Sequence, residues 1–246
     1  MNSKTKIAVI SVLSVLLAGA ILVGVMFGTK RLPNDRDGTN TSSSIAKKEP
    51  LNIPVDFNRL REINSDIYAW IYVPNTNIDY PILQHSKNDG FYLHHNIYGK
   101  YEFAGTIYSE KANNKNFSDP NTVLYGHNMT KGYMFENLHK FQDKIFFEEN
   151  AEFYIYTPDK IYTYAIVSAF QHNDYHIMYE YDCTKESGFQ KFIDLIKNPK
   201  YKLKNVREEQ NISINDKFVT LSTCLGNGKV YRYLVVGVLT DVKNVN

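Results

Sequence analysis

The chain has 246 residues, with 28 Lys and Arg against 26 Asp and Glu, a formal net charge of +2. A balance so even offers no basic face of the kind that nucleic-acid binders carry, and that class is set aside. Two cysteines are too few for a disulfide framework, whereas 19 Tyr and 14 Phe favour strands and a large packed core.

A short tail, residues 1–6, precedes an uncharged apolar run at 7–28, IAVISVLSVLLAGAILVGVMFG. At about 1.5 Å per residue a helix of that length crosses a hydrocarbon core of roughly 30 Å. The run is longer than the apolar region of a cleaved signal peptide, and its small-x-small triplet, Ala18-Gly19-Ala20, lies in mid-run. The expectation is an uncleaved transmembrane helix. Lys4 and Lys6 before it nearly balance Lys30 and Arg31 after it, so charge alone does not orient it. The short tail and the large following domain favour tail inside, domain outside. Residues 29–50, rich in Asn, Asp, Thr, Ser, Gly and Lys, cannot bury a core and read as a flexible tether. One domain is expected over residues 51–246, long enough for a sizeable core.

Within that domain, Asp56 is placed to cap a helix whose apolar positions are Phe57, Leu60, Ile63 and Ile67. Short strands follow: WIYV (70–73), IDYPIL (78–83), AGTIYS (104–109), NTVLY (121–125), EFYIY (152–156) and KIYTYAIVSAF (160–170). Pro81, inside the second of these, suggests an edge or a bend. The segment HNDYHIMYEYD (172–182) reads as a loop. A second helix is predicted near 187–197, with Ser187 and Gln190 as a capping box and Phe189, Phe192, Ile193 and Ile196 on one face. FVTLST (218–223) and YRYLVVGVL (231–239) complete the strands. Many strands and few helices argue for a closed barrel or a sandwich.

Three stretches carry possible chemistry. In YGHN, Gly126 permits a sharp turn after an apolar strand, and His127 projects from the strand end. In TLSTC, Thr220, Ser222 and Cys224 share one strand face while Leu221 and Thr223 take the other. Arg232 opens the last strand, and the turn at Gly226, Asn227 and Gly228 makes a hairpin that brings Arg232 to Cys224. A thiolate nucleophile, a proton-carrying imidazole and a guanidinium that holds a carbonyl or an oxyanion suit acyl transfer. Arginine is no base, because it keeps its proton. Each residue also has an ordinary reading: Cys224 as a small buried side chain, His127 as a turn residue, Arg232 as a strand-end charge.

Taken together and in this order, TLSTC, the arginine of RYLVVGVL and YGHNMTKGYMF (125–135) resemble the sortases, and specifically class B sortases. NSDIYAWIYVPNTNIDYPILQ (64–84) and FAGTIYSE (103–110) extend the similarity over most of 55–240. The resemblance implies a mostly β fold. This is a sortase-type closed β-barrel of about eight strands, with N-terminal helices and one additional helix before the last strands, behind the transmembrane helix. It implies Cys224 as nucleophile, His127 as general acid/base and Arg232 as the residue that positions substrate and stabilises the oxyanion. Ser222, Asn88 and Leu93 match substrate-contacting positions, and Thr223 is counted with them; separately, Tyr179 or Tyr181 in the tyrosine-rich segment 172–182 is a candidate to line the groove. The implied reaction cleaves a C-terminal sorting signal of the Asn-Pro-X-Thr type, or a relative, after threonine. The resulting thioester passes to a cell-wall amine. Implied partners are the signal-bearing surface proteins and a cell-wall precursor or peptidoglycan amine. The implied location is the cell membrane, single-pass, with the catalytic domain extracellular. The chemistry calls for no metal or organic cofactor.

The alternatives are a secreted papain-like peptidase or wall amidase, and a non-enzymatic membrane-tethered binding module. Papain-like enzymes usually place cysteine before histidine, the reverse of the order here. His85, His94 and His95 do not make a metal set, because adjacent strand residues point to opposite faces and no cluster has ligand spacing. His172 and His176 are expected in a structural or substrate-wall role. Cys183 reads as a bystander. A 183–224 disulfide would silence the nucleophile, so free thiols are expected.

Overall fold

The computed structural model describes residues 53–226 and 230–245. The expected transmembrane helix at 7–28 and the tether at 29–50 lie outside the described residues. Among the described residues no helix is long and apolar enough to cross a membrane.

The chain enters through helix α1 (Phe57–Ile63), capped as anticipated: the Asp56 carboxylate accepts from the backbone N–H of Arg59 at 3.1 Å. The helix ends earlier than its apolar spacing suggested. Asn64 turns extended, and its side-chain oxygen accepts from its own backbone two residues on, at Asp66 N–H. Ile67 therefore opens strand β1 (Ile67–Tyr72) instead of extending the helix. Among the described residues α1 is the one α-helix before the barrel.

The remaining strands are β2 (Asp79–Leu83), β3 (Ile107–Tyr108), β4 (Asn121–Tyr125), β5 (Glu152–Tyr156), β6 (Lys160–Asn173), β7 (Lys204–Val206), β8 (Phe218–Cys224) and β9 (Tyr231–Asn244). They pair in the order β5-β1-β2-β3-β4-β8-β9-β6-β7, and β5 also pairs with β6. That last pairing, from Glu152↔Ala165 to Tyr156↔Ile161, closes an eight-strand barrel and leaves β7 as a flank on β6. Pro81 sits opposite Trp70 of β1, and β3 joins β2 only at Ile82 and Leu83, so no neighbour needs the missing N–H.

Alternation along β8 and β9 builds two cores. Val219, Leu221, Tyr233 and Val235 turn into the barrel. After α1 the helices in chain order are α2 (Lys144–Glu149), α3 (Ile177–Glu180) and α4 (Glu186–Lys197), and Phe218, Leu234 and Val236 turn outward beneath α4. As the spacing predicted, α4 buries Phe189, Phe192, Ile193 and Ile196. Such burial contributes roughly 1.5–3 kcal/mol per side chain before ordering entropy is counted. The predicted capping box does not form. The helix begins at Glu186, which places Ser187 inside it, and Gln190 instead donates forward to Asp194 at 2.9 Å. Asp182 holds the entry, accepting from Lys185 N–H and pairing with its ammonium at 2.9 Å.

Candidate active site

Two strand pairings decide which side chains meet. β4 and β8 run parallel, with Tyr125 level with Ser222, so residues following β4 emerge at the same barrel end as Cys224. Gly126 N–H continues the ladder, donating to the Ser222 carbonyl at 3.2 Å. β8 and β9 run antiparallel and place Cys224 directly opposite Arg232. Leu225 N–H donates to the Tyr231 carbonyl at 3.0 Å, which makes Cys224 and Arg232 a non-hydrogen-bonded pair. Such pairs sit closest, with Cα atoms about 4.5 Å apart. The side chains touch accordingly: Arg232 Nη1 donates to Cys224 Sγ at 3.1 Å. A guanidinium donor at that distance stabilises negative charge on sulfur. The turn that follows uses Gly226 at φ +69°, a conformation that favours glycine.

Gly126 is required for a different reason from the one its position suggested. Its φ is not positive. A Cβ there would lie 2.5 Å from Ile107 and 2.8 Å from Phe135. Space, and not a sharp turn, excludes a side chain. His127 follows, with Nε2 at 2.9 Å from the Leu93 carbonyl. A carbonyl only accepts, so this nitrogen carries the hydrogen. The ring lies against Phe103 at 5.6 Å and His94 at 5.2 Å, centroid to centroid.

Cys224, His127 and Arg232 line a single cavity of about 590 Å³, together with Leu93, Ser222 and Thr223. Ser222 is buried on the Cys224 face of β8, whereas Thr223 is buried with its hydroxyl lacking a hydrogen-bond partner. Two further expected contacts lie elsewhere. Asn88 is exposed, and its side-chain oxygen accepts from Gly90 N–H at 3.0 Å, outside the cavity lining. Tyr179 is 78% exposed, stacks on His176 at 4.2 Å and borders a second cavity of about 370 Å³.

The same lining holds His172 and His176, as expected of wall residues, and Glu110, Tyr108 and Tyr125, which the sequence did not bring forward. Both Glu110 oxygens lie 2.9 Å from His176 Nε2, in a pair that is mostly buried. Tyr108 and Tyr125 stack beside it at 5.4 Å. Burial first, and then the Glu110 charge, push both phenols well above their ordinary range. Burial likewise holds His172 below the ordinary imidazole range, against the pull of Glu180 at 3.5 Å. His172 lies in β6 opposite Arg232, so the segment read as a loop begins in a strand and also holds the short helix α3 (Ile177–Glu180). Both cysteines are free thiols. Burial and the neighbouring Asp182 push the Cys183 thiol up to about 12. Among the described residues no group of three or more His, Cys, Asp or Glu side chains is disposed to hold a metal.

A sortase domain model matches residues 71–240. A sortase B of Listeria monocytogenes is 33% identical over 165 residues, which is 67% of this chain and 65% of that protein. The chain thus spans just under two thirds of that relative. Among solved structures, sortase B of Clostridium perfringens matches with a TM-score of 0.68 and 33% identity, over 76% of this chain and 100% of that one. A Staphylococcus aureus sortase B–substrate complex matches with a TM-score of 0.67 and 26% identity, over 75% and 84%.

Proposed function

The chain belongs to the sortase family, a family of cysteine transpeptidases whose class B members are its relatives, and we propose that it is itself a membrane-anchored transpeptidase acting through Cys224. The substrate is a protein bearing a C-terminal sorting signal of the Asn-Pro-X-Thr type or a relative. The Cys224 thiolate attacks the carbonyl after threonine. The C–N bond breaks, and His127 passes its proton to the departing amine. Arg232 donates to the carbonyl oxygen as charge develops on it. A cell-wall amine then attacks the thioester, gives its proton to the imidazole and releases the thiolate.

One observation carries this reading: the 3.1 Å contact from Arg232 Nη1 to Cys224 Sγ, at the wall of a cavity that His127 shares. Anchoring rests on the uncharged run at 7–28, which puts the domain at the outer membrane surface beside both substrates. Leu93, Ser222 and Thr223 border the cavity as substrate contacts; Asn88 and Tyr179 would contact a longer peptide beyond it.

A panel of Asn-Pro-X-Thr and related peptides, with and without amine acceptors, tests the proposal. The expected result is cleavage after threonine, amide product when an amine is present, and an acyl adduct on Cys224 by mass spectrometry. Hydrolysis alone at saturating acceptor would make the protein a peptidase.

A further inference from the structure

The register that brings Cys224 to Arg232 also leaves the Cys224 backbone facing away from β9. In a non-hydrogen-bonded pair each residue's own N–H and C=O point to the other side of its strand. For Cys224 that side belongs to β4, but β4 ends at Tyr125, and Gly126 N–H has already been given to Ser222. The carbonyl of Cys224 therefore projects past the end of its neighbour strand. A side chain meets it there: His139 Nε2 lies 3.1 Å from Cys224 O.

The geometry fixes the state of this imidazole. The carbonyl accepts, so Nε2 carries the hydrogen. Nδ1 is then the acceptor, and Gln142 Nε2 donates to it at 2.7 Å. The ring packs on the buried Tyr233 at 5.3 Å. Burial lowers the His139 pKa, opposed by the hydrogen bond to Cys224 and the Glu136 carboxylate, in keeping with a neutral ring. The mount is rigid. His139 sits on a 3-10 helix (Glu136–Gln142). Asn205 of β7 ties down the end of that helix through Phe141 O at 2.8 Å and Gln142 O at 3.2 Å. Asn137 accepts from Asn77 N–H at 2.9 Å and fastens its start.

We propose that His139 is a positioning residue that stands in for the missing strand: its Nε2–H clamps the Cys224 carbonyl and so holds the thiol against Arg232 and in line with the cavity. The segment that starts at His127 thus carries two imidazoles with separate duties. His127 faces the cavity, and His139 grips the nucleophile's backbone from outside it. The proposal rests on Cys224 being the nucleophile, and a displacement of about 1 Å at such a group is enough to cost up to a hundredfold in rate.

The test uses the full chain in a Cys183→Ser background, with His139→Ala, which removes the donor, and His139→Gln, whose amide nitrogen keeps one near the same point. Peptide turnover, the rate of Cys224 alkylation by iodoacetamide at pH 7 and thermal unfolding are measured for each. His139→Ala is expected to lower kcat about tenfold to a hundredfold with KM within about twofold. Alkylation should slow in parallel, and His139→Gln should restore both to within about threefold of the parent. Parent-like kcat and alkylation in His139→Ala would overturn the proposal, as would a folded His139→Gln as impaired as the alanine variant. If His139→Ala does not fold, His139→Met, also without a donor, takes its place under the same criteria. A parent protein that alkylates normally but turns over no peptide would strike the transpeptidase reading, and the alkylation arm would still decide the role of His139.

Discussion

Cys224 and Cys183 are both free, both partly buried, and chemically unlike. Cys224 ends a strand, with a guanidinium 3.1 Å from its sulfur and a 590 Å³ cavity in front of it. Cys183 packs beside α4 with an aspartate as its sequence neighbour, and burial and that carboxylate drive its thiol up to about 12. Exposure does not separate them. The sign of the nearest charge does, together with the space available to a substrate.

The strongest way to break this contrast is to exchange the two roles. Cys224→Ala should lower transfer by about 10³-fold or more, while Cys183→Ala leaves kcat/KM unchanged within about twofold in the same peptide assay. Comparable losses from both would end the distinction. Next come the partners. His127→Ala should cost about 10²–10⁴ in kcat. Arg232→Lys should cost about 10²-fold, because an ammonium keeps the charge but not the forked donors. A lysine variant at parent rate would reduce the arginine to a source of charge.

Thiol labelling sharpens the contrast further. At pH 7 a haloacetamide should modify Cys224 while Cys183 remains largely unreacted. Labelling of Cys183 should climb only as pH approaches about 12, because burial favours its protonated form throughout the range below. Mass spectrometry of digested protein across pH values reads both sites at once. The smallest effect on chemistry belongs to the core beneath Cys183. Phe192→Ala should cost about 3–5 kcal/mol of stability by denaturant unfolding, and the folded fraction should keep its kcat.

Local features of the site were legible in the sequence, and distant ones were not. The hairpin joining Cys224 to Arg232 could be read because its turn residues lie between them, and the Asp56 cap because the helix it serves follows at once. The parallel pairing of β4 with β8 left no local mark, although it brings His127 to the cavity that Cys224 also lines. Residues about a hundred positions apart pair there, as in the 2.9 Å bond from Thr220 to Asn121. The same limit hid Glu110 with His176, and His139 with Cys224. Neither pair shares a periodic element. The steric need for Gly126 was not legible either, because its clash with Phe135 depends on tertiary packing. The Ser187 capping box failed because the helix starts two residues earlier, with Lys185 in the cap position.

β9 does more than supply Arg232. It zips along both β8 and β6, and its pairing with β6 runs from Lys160↔Asn244 to Asn173↔Tyr231. The register of the strand is therefore held from both sides. A slip of one residue against β8 would turn Arg232 to the other face and carry its donors away from Cys224, and the pairing with β6 resists that slip.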